Sequence, residues 1–202
     1  MTTVFSVHAQ TVQGNAAFPV QSVIKVRGGE PVHVARGSAS EGAPDELGTD
    51  FVLYEDLAGH KPLCAVARRA TGASGPDSLT VTAPDGAVLG VLRPPARQGG
   101  GRTRYEMELA DGTRLVGRRG TVPAWLLYVV LSPLALLYNV ASLVGGYGVD
   151  WHLPTRTAWR SAGGFGPAPL RFYGITDKYK LRTPGLDPRL AYAQAVVHFW
   201  SV

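Results

Sequence analysis

The stretch D-P-R-L-A-Y-A-Q-A-V-V-H-F-W-S-V, residues 187–202, opens like a helix and offers no polar face. Asp187 can accept from the free backbone N–H groups of a first turn, and Pro188 suits the first helical position, where its missing N–H is no loss. Beyond them, Leu190, Ala191, Tyr192, Ala193, Ala195, Val196, Val197, Phe199 and Trp200 are spread round the whole circumference. A helix that is apolar on every side is enclosed by protein or lies in lipid. About 13 residues give roughly 20 Å, short of a bilayer core of roughly 30 Å. The expectation is a helix enclosed by the rest of the chain, with Leu190, Tyr192, Ala193, Val196, Val197, Phe199 and Trp200 at the centre of the core.

The enclosing wall reads as β. Residues 3–12 alternate loosely, and 18–26 and 32–35 flank an R-G-G-E-P turn as a hairpin. Residues 37–49 are small and acidic without periodicity, which predicts a flexible surface loop. A strand–turn–strand unit then recurs over 51–69, 79–93 and 105–119, its turn glycines Gly59, Gly86 and Gly112 lying 27 and 26 residues apart. Asp85-Gly86 and Asp111-Gly112 predict tight hairpins of type I′. In the third unit Tyr105, Met107 and Leu109 alternate with Glu106, Glu108 and Ala110, so one face is buried and the other wet. Short candidate strands at 149–153, 157–161, 170–175 and 179–182 follow, the last two flanking a T-D-K turn. About twelve strands and one enclosed helix predict a single mainly-β domain over 1–202: a closed or nearly closed antiparallel barrel whose lumen is filled by the helix.

Composition agrees. Apolar residues make up 45% and charged residues 17% of 202, enough for a substantial core, and 25 Gly with 15 Pro suit many turns. A net charge of +5 favours anionic partners. Sixteen Arg against four Lys, with abundant Ala and Gly, matches a GC-rich bacterial genome. Cys64 is the one cysteine, in an apolar run, which predicts a buried inert thiol and a reducing compartment. The first residues lack a basic leader and an apolar core, so no secretory signal is expected.

The hairpins T-A-P-D-G-A-V-L-G-V-L-R and E-L-A-D-G-T-R-L-V-G-R, with the D-P-R-L-A-Y-A-Q-A-V-V ending, resemble the tubby C-terminal-like superfamily. That group includes tubby, the phospholipid scramblases and the LURP-one-related proteins. The resemblance spans most of 18–202 apart from the run at 122–145. It implies a twelve-stranded barrel around a C-terminal helix and an activity in phosphoinositide or phospholipid binding or in lipid scrambling. The chain has no cysteine cluster, no Pro-rich leader and no D-x-D-x-D-G loop, so calcium-activated scrambling is not expected.

Residues 122–145 read V-P-A-W-L-L-Y-V-V-L-S-P-L-A-L-L-Y-N-V-A-S-L-V-G, without a charge. The length would allow a span, but a span would put strands of one barrel on opposite sides of the membrane. Pro133 divides the run into two apolar helical pieces, which predicts an inserted hairpin dipping into one leaflet. The alternative is packing on the barrel wall or against a second copy. Expected membrane contacts are Trp125, Leu126, Leu127, Tyr128, Leu131, Leu134, Leu137, Tyr138 and Leu143. Arg118, Arg119, Arg156 and Arg160 flank the run as headgroup anchors, and Lys178, Lys180 and Arg182 extend a cationic rim or protect a sheet edge.

Sites of chemistry are not legible. The five histidines have no metal-ligand spacing, and no catalytic motif or cofactor signature occurs, so neither metal nor cofactor is expected. His198 reads as a hydrogen-bonded core residue, and Gln194, one turn earlier, as a member of its polar network. Nucleic-acid binding is disfavoured because the arginines fall mostly at strand ends and loops and no RNA or DNA motif is present. The expectation is a non-enzymatic, cytoplasmic barrel associated peripherally or monotopically with anionic phospholipid membranes. One alternative is a structural or regulatory soluble protein that uses 122–145 as a homo-oligomer interface. The other is a scramblase or lipid carrier.

Overall fold

The computed structural model describes residues 1–9, 20–36, 49–69, 78–94, 104–119, 133, 156–162 and 166–201. Six strands form the first half: β1 (Thr2–Ala9), β2 (Val20–Val26), β3 (Val32–Arg36), β4 (Thr49–Tyr54), β5 (Pro62–Arg69) and β6 (Ser78–Thr82). The second half holds β7 (Val88–Arg93), β8 (Arg104–Leu109), β9 (Arg114–Arg119), β10 (Arg156–Ser161), β11 (Leu170–Tyr173) and β12 (Lys178–Arg182). One helix, Pro188–Ser201, follows. Each strand pairs antiparallel with its neighbours in sequence, and β12 returns to β1 through Thr2↔Arg182 and Phe5↔Tyr179, so the sheet is a closed barrel. Closure leaves no edge strand, which removes the edge-protection role expected for Lys178, Lys180 and Arg182.

Alternation along the strands points one set of side chains inward. In β12, Tyr179 and Leu181 are buried between exposed Lys178, Lys180 and Arg182; in β6, Leu79 and Val81 are buried. Eight strands make a barrel that side chains alone can fill, and twelve enclose a wider lumen. The helix occupies it. Every residue from Leu190 to His198 is buried, and Ala191, Ala193 and Ala195 are fully shielded.

Asp187 caps this helix as expected. Its Oδ1 accepts from the Arg189 amide at 2.8 Å, and its carbonyl accepts from Ala191 N–H at 3.0 Å. The helix does not stay enclosed to its end. Phe199 and Trp200 are 37% and 38% exposed, although the sequence placed both in the core. Fourteen residues give roughly 21 Å of helix, whereas six-residue strands tilted by about 40° give a wall of about 15 Å. The last turn therefore projects from the barrel.

The hairpin turns depart from type I′. Gly86 and Gly112 have φ of 83° and 81°, but among the described non-glycine residues only Asp177 has a positive φ. Gly86 N–H donates to Ala83 O at 2.9 Å and Ala87 O accepts from Ala83 N–H at 2.8 Å. That is a tight turn followed by a left-handed glycine bulge. Asp85 and Asp111 each accept from the amide two residues on, at 3.1 and 2.8 Å, so both carboxylates serve their own turns.

Two glycines inside the wall were not singled out by the sequence. A Cβ on Gly90 would lie 2.5 Å from Glu108 O and 2.9 Å from Leu190 Cδ2. A Cβ on Gly117 would lie 2.6 Å from Trp159 Nε1. Gly90 admits the helix, and Gly117 admits the largest buried ring.

Candidate functional site

An antiparallel meander sends alternate connections to opposite ends of the barrel. At one end lie the turns at 27–31, 55–61, 83–87, 110–113 and 162–169, together with the start of the helix. At the other lie the turn at 174–177 and the strand ends that flank 10–19, 37–48, 70–77, 95–103 and 120–155. The helix points its C-terminus at this second end: Trp200 meets Phe51 near the start of β4 with ring centroids 5.0 Å apart, and Ser201 Oγ is 3.3 Å from the Tyr105 hydroxyl in β8. β9 therefore finishes and β10 begins at the end where Phe199 and Trp200 emerge.

The expected contacts Trp125, Leu126, Leu127, Tyr128, Leu131, Leu134, Leu137, Tyr138 and Leu143 lie outside the described residues, as do 37–48 and the candidate strand at 149–153. Of 122–145 only Pro133 is described, exposed and with helical backbone. No helix among the described residues is long and apolar enough to cross a membrane.

Cations on the outer wall fall into two groups. On β7, β8 and β9, arginines and glutamates alternate. Arg93 bridges Glu106 and Glu108 at 3.4 Å each, Arg104 meets Glu106 at 2.8 Å and Arg114 meets Glu108 at 3.3 Å. Arg68 meets Asp50 at 3.4 Å. From β9 to β12 the pattern changes: R-L-V-G-R-R, R-T-A-W-R-S, L-R-F-Y and K-Y-K-L-R contain no acid. Of the predicted anchors, Arg118 and Arg160 are exposed and Arg156 is half-buried; Arg119 ends β9. Register brings them together, with Arg118 opposite Ala158 on β10, between Arg156 and Arg160. The sequence missed two members of this surface. Arg171 stands opposite Ala158 from the other side, and Tyr173 stands opposite Arg156, whose guanidinium lies 5.1 Å from its ring centroid. Burial pushes the Tyr173 phenol up, but Arg171, Arg156 and Lys180 outweigh it and hold it below the ordinary tyrosine range.

Inside the barrel, polar groups serve packing. The Tyr179 hydroxyl lies 2.8 Å from His198 Nδ1 and 3.3 Å from Ala195 O, and burial pushes this phenol well above its ordinary range. Four rings surround the imidazole, those of Phe172, Tyr105, Trp159 and Tyr179, at 4.7, 4.9, 5.6 and 5.9 Å. Gln194 does not join this network: neither of its amide atoms has a partner. Sharing a helix face with His198 did not give it access to the wall tyrosine. Cys64 is buried, and burial pushes its thiol up to about 12. No group of His, Cys, Asp and Glu among the described residues could hold a metal ion.

Fold and surface define a helix-filled, twelve-stranded β-barrel from one end of which the last helical turn emerges. No family model, curated protein or solved structure matches the chain.

Proposed function

We propose that this barrel is a non-enzymatic membrane-surface protein that binds anionic phospholipid through the mouth from which its helix emerges. One observation carries the reading. The strand ends that flank the uncharged run at 122–145, the exposed Phe199 and Trp200, and Arg156 stacked on Tyr173 beside Lys178 belong to the same end of the barrel. Aromatic side chains favour the interfacial layer, and each cation near an anionic surface contributes roughly 1 kcal/mol. The barrel around a C-terminal helix is also the architecture that resemblance to the tubby-like superfamily implies, and it supports the same reading.

Vesicle flotation tests it. Full-length protein should float with phosphatidylglycerol vesicles, and replacing 122–145 by a short Gly-Ser connection should leave it at the bottom with its melting temperature kept. If full-length protein stays soluble at every lipid concentration, the membrane reading is lost. A concentration-dependent dimer that dissociates on the same replacement would support the interface alternative. Redistribution of labelled lipid between leaflets would support the carrier alternative.

A further inference from the structure

The outer wall of β9, β10 and β11 holds an arrangement that membrane docking does not by itself require. Ala158 faces outward, and each of its four neighbours on that face is an arginine. Arg156 and Arg160 lie two residues away along β10, and Arg118 and Arg171 stand directly opposite on β9 and β11. Directly opposed positions are about 5 Å apart at Cβ, and residues two apart along a strand about 7 Å, within reach of long side chains. The central methyl leaves space into which four guanidinium groups can turn. Lys180, opposite Arg171 on β12, adds a fifth charge.

Like charges packed this way repel, and a sheet normally interleaves acids to relieve them. This barrel does so on β7 to β9, where every arginine of the cluster has a glutamate within 3.4 Å. Around Ala158 there is no carboxylate on any of the four strands. The Arg171 side chain hydrogen-bonds Tyr173, while its Nε is buried without a hydrogen-bond partner. Arg156 is held in place over the Tyr173 ring. Guanidinium forks match the paired oxygens of phosphate, and several together match a group with two or more negative charges.

We infer that the four arginines around Ala158 form a binding site for a phosphate group of high charge, a phosphomonoester or pyrophosphate dianion. The site deepens the membrane reading and rests on it only for the source of the phosphate. A lipid headgroup would be met where the wall approaches the end from which the helix emerges; a soluble ligand would need no membrane.

Titration with pyrophosphate at about 0.15 M salt, where exposed charges are screened beyond about 8 Å, tests the site directly. The full chain should bind saturably, Arg171→Gln should weaken binding roughly tenfold, and Ala158→Glu should abolish it by placing a carboxylate within the ring. Lys61→Gln, in a turn at the far end, should bind as the unaltered chain does. Ala158→Glu should melt no lower than the unaltered chain, since it relieves repulsion; should it fail to fold, Arg118→Gln with Arg171→Gln takes its place. The second arm compares flotation with phosphatidic acid and with phosphatidylglycerol vesicles of matched surface charge. A preference for phosphatidic acid that Ala158→Glu removes assigns the site to a headgroup. Pyrophosphate binding without vesicle binding assigns it to a soluble ligand and defeats the membrane reading alone. Vesicle binding indifferent to headgroup and to Ala158→Glu, with no saturable pyrophosphate binding, overturns the site and leaves the membrane reading standing.

Discussion

Gly90 and Asp187 do the most with the least material. Gly90 lets the helix lie against β7, because any Cβ there would press on the backbone of Glu108 and on Leu190. Backbone cannot swing aside as a side-chain tip can, so Gly90→Ala should cost about 1–3 kcal/mol, the range for an overfilled core. Denaturant melts compared with Gly28→Ala, in a turn with open space around it, separate this from the strain of a positive φ. For Asp187, burial pushes the carboxyl up, yet the fork from Arg189, at 3.2 and 2.9 Å, and the capped amides outweigh it and hold it below the ordinary range. Folding therefore favours the ionised form. Its stabilisation is complete above the unfolded value of about 3.9 and is lost as pH falls through the lower folded value. Asp187→Ala should be less stable than the unaltered chain by about 1 kcal/mol at pH 6. The gap should narrow toward pH 2, as read from urea midpoints.

At the scale of the element, the helix is the core. Val196 and Ala193 are both 0% exposed, and an aspartate at either would be a buried charge with no partner. Val196→Asp should abolish the cooperative melt, while Trp200→Ser, at the projecting turn, should leave a folded barrel. Circular dichroism on the two variants checks the contrast. Sequence made the capped start and the all-round apolarity of this helix legible, since both are local. It did not reveal that Phe199 and Trp200 outrun the wall, because that depends on the tilt of strands far away. The hairpins were legible for a similar reason, and their turn type was not: Asp-Gly announces a left-handed glycine, but the conformation of the aspartate is set by the bulge it joins. Spacing put Gln194 beside His198 on one face, and only the register of β12 decides that Tyr179 meets the histidine.

Across the molecule, the twelve-stranded barrel followed from counting alternating runs and from a helix that needed a container. The arginine ring could not be read this way. Arg118 and Arg160 stand on paired strands joined by the connection at 120–155, and Arg171 enters from a third strand, so their meeting is a property of register. Cys64 offers a probe at this scale. With its thiol buried and pushed up to about 12, it should resist aromatic disulfide reagents in the native state and react within the dead time in denaturant. The labelling rate then reports opening of the barrel as a whole.

The seam that closes the barrel joins Thr2–Phe5 to residues near the helix, and Met1 is tied to Thr183 by its ammonium group at 3.0 Å and its carbonyl at 3.1 Å. During synthesis the first strand therefore waits for almost every other residue before finding its partner, and the plug that covers all the inward faces emerges after the twelfth strand. Contacts so distant in sequence are slow to form, and incomplete sheets expose sticky edges meanwhile. Nascent chains stalled before Pro188 clears the ribosome should stay protease-sensitive and bound to holding chaperones. Release of the helix should convert them to a resistant form in one step.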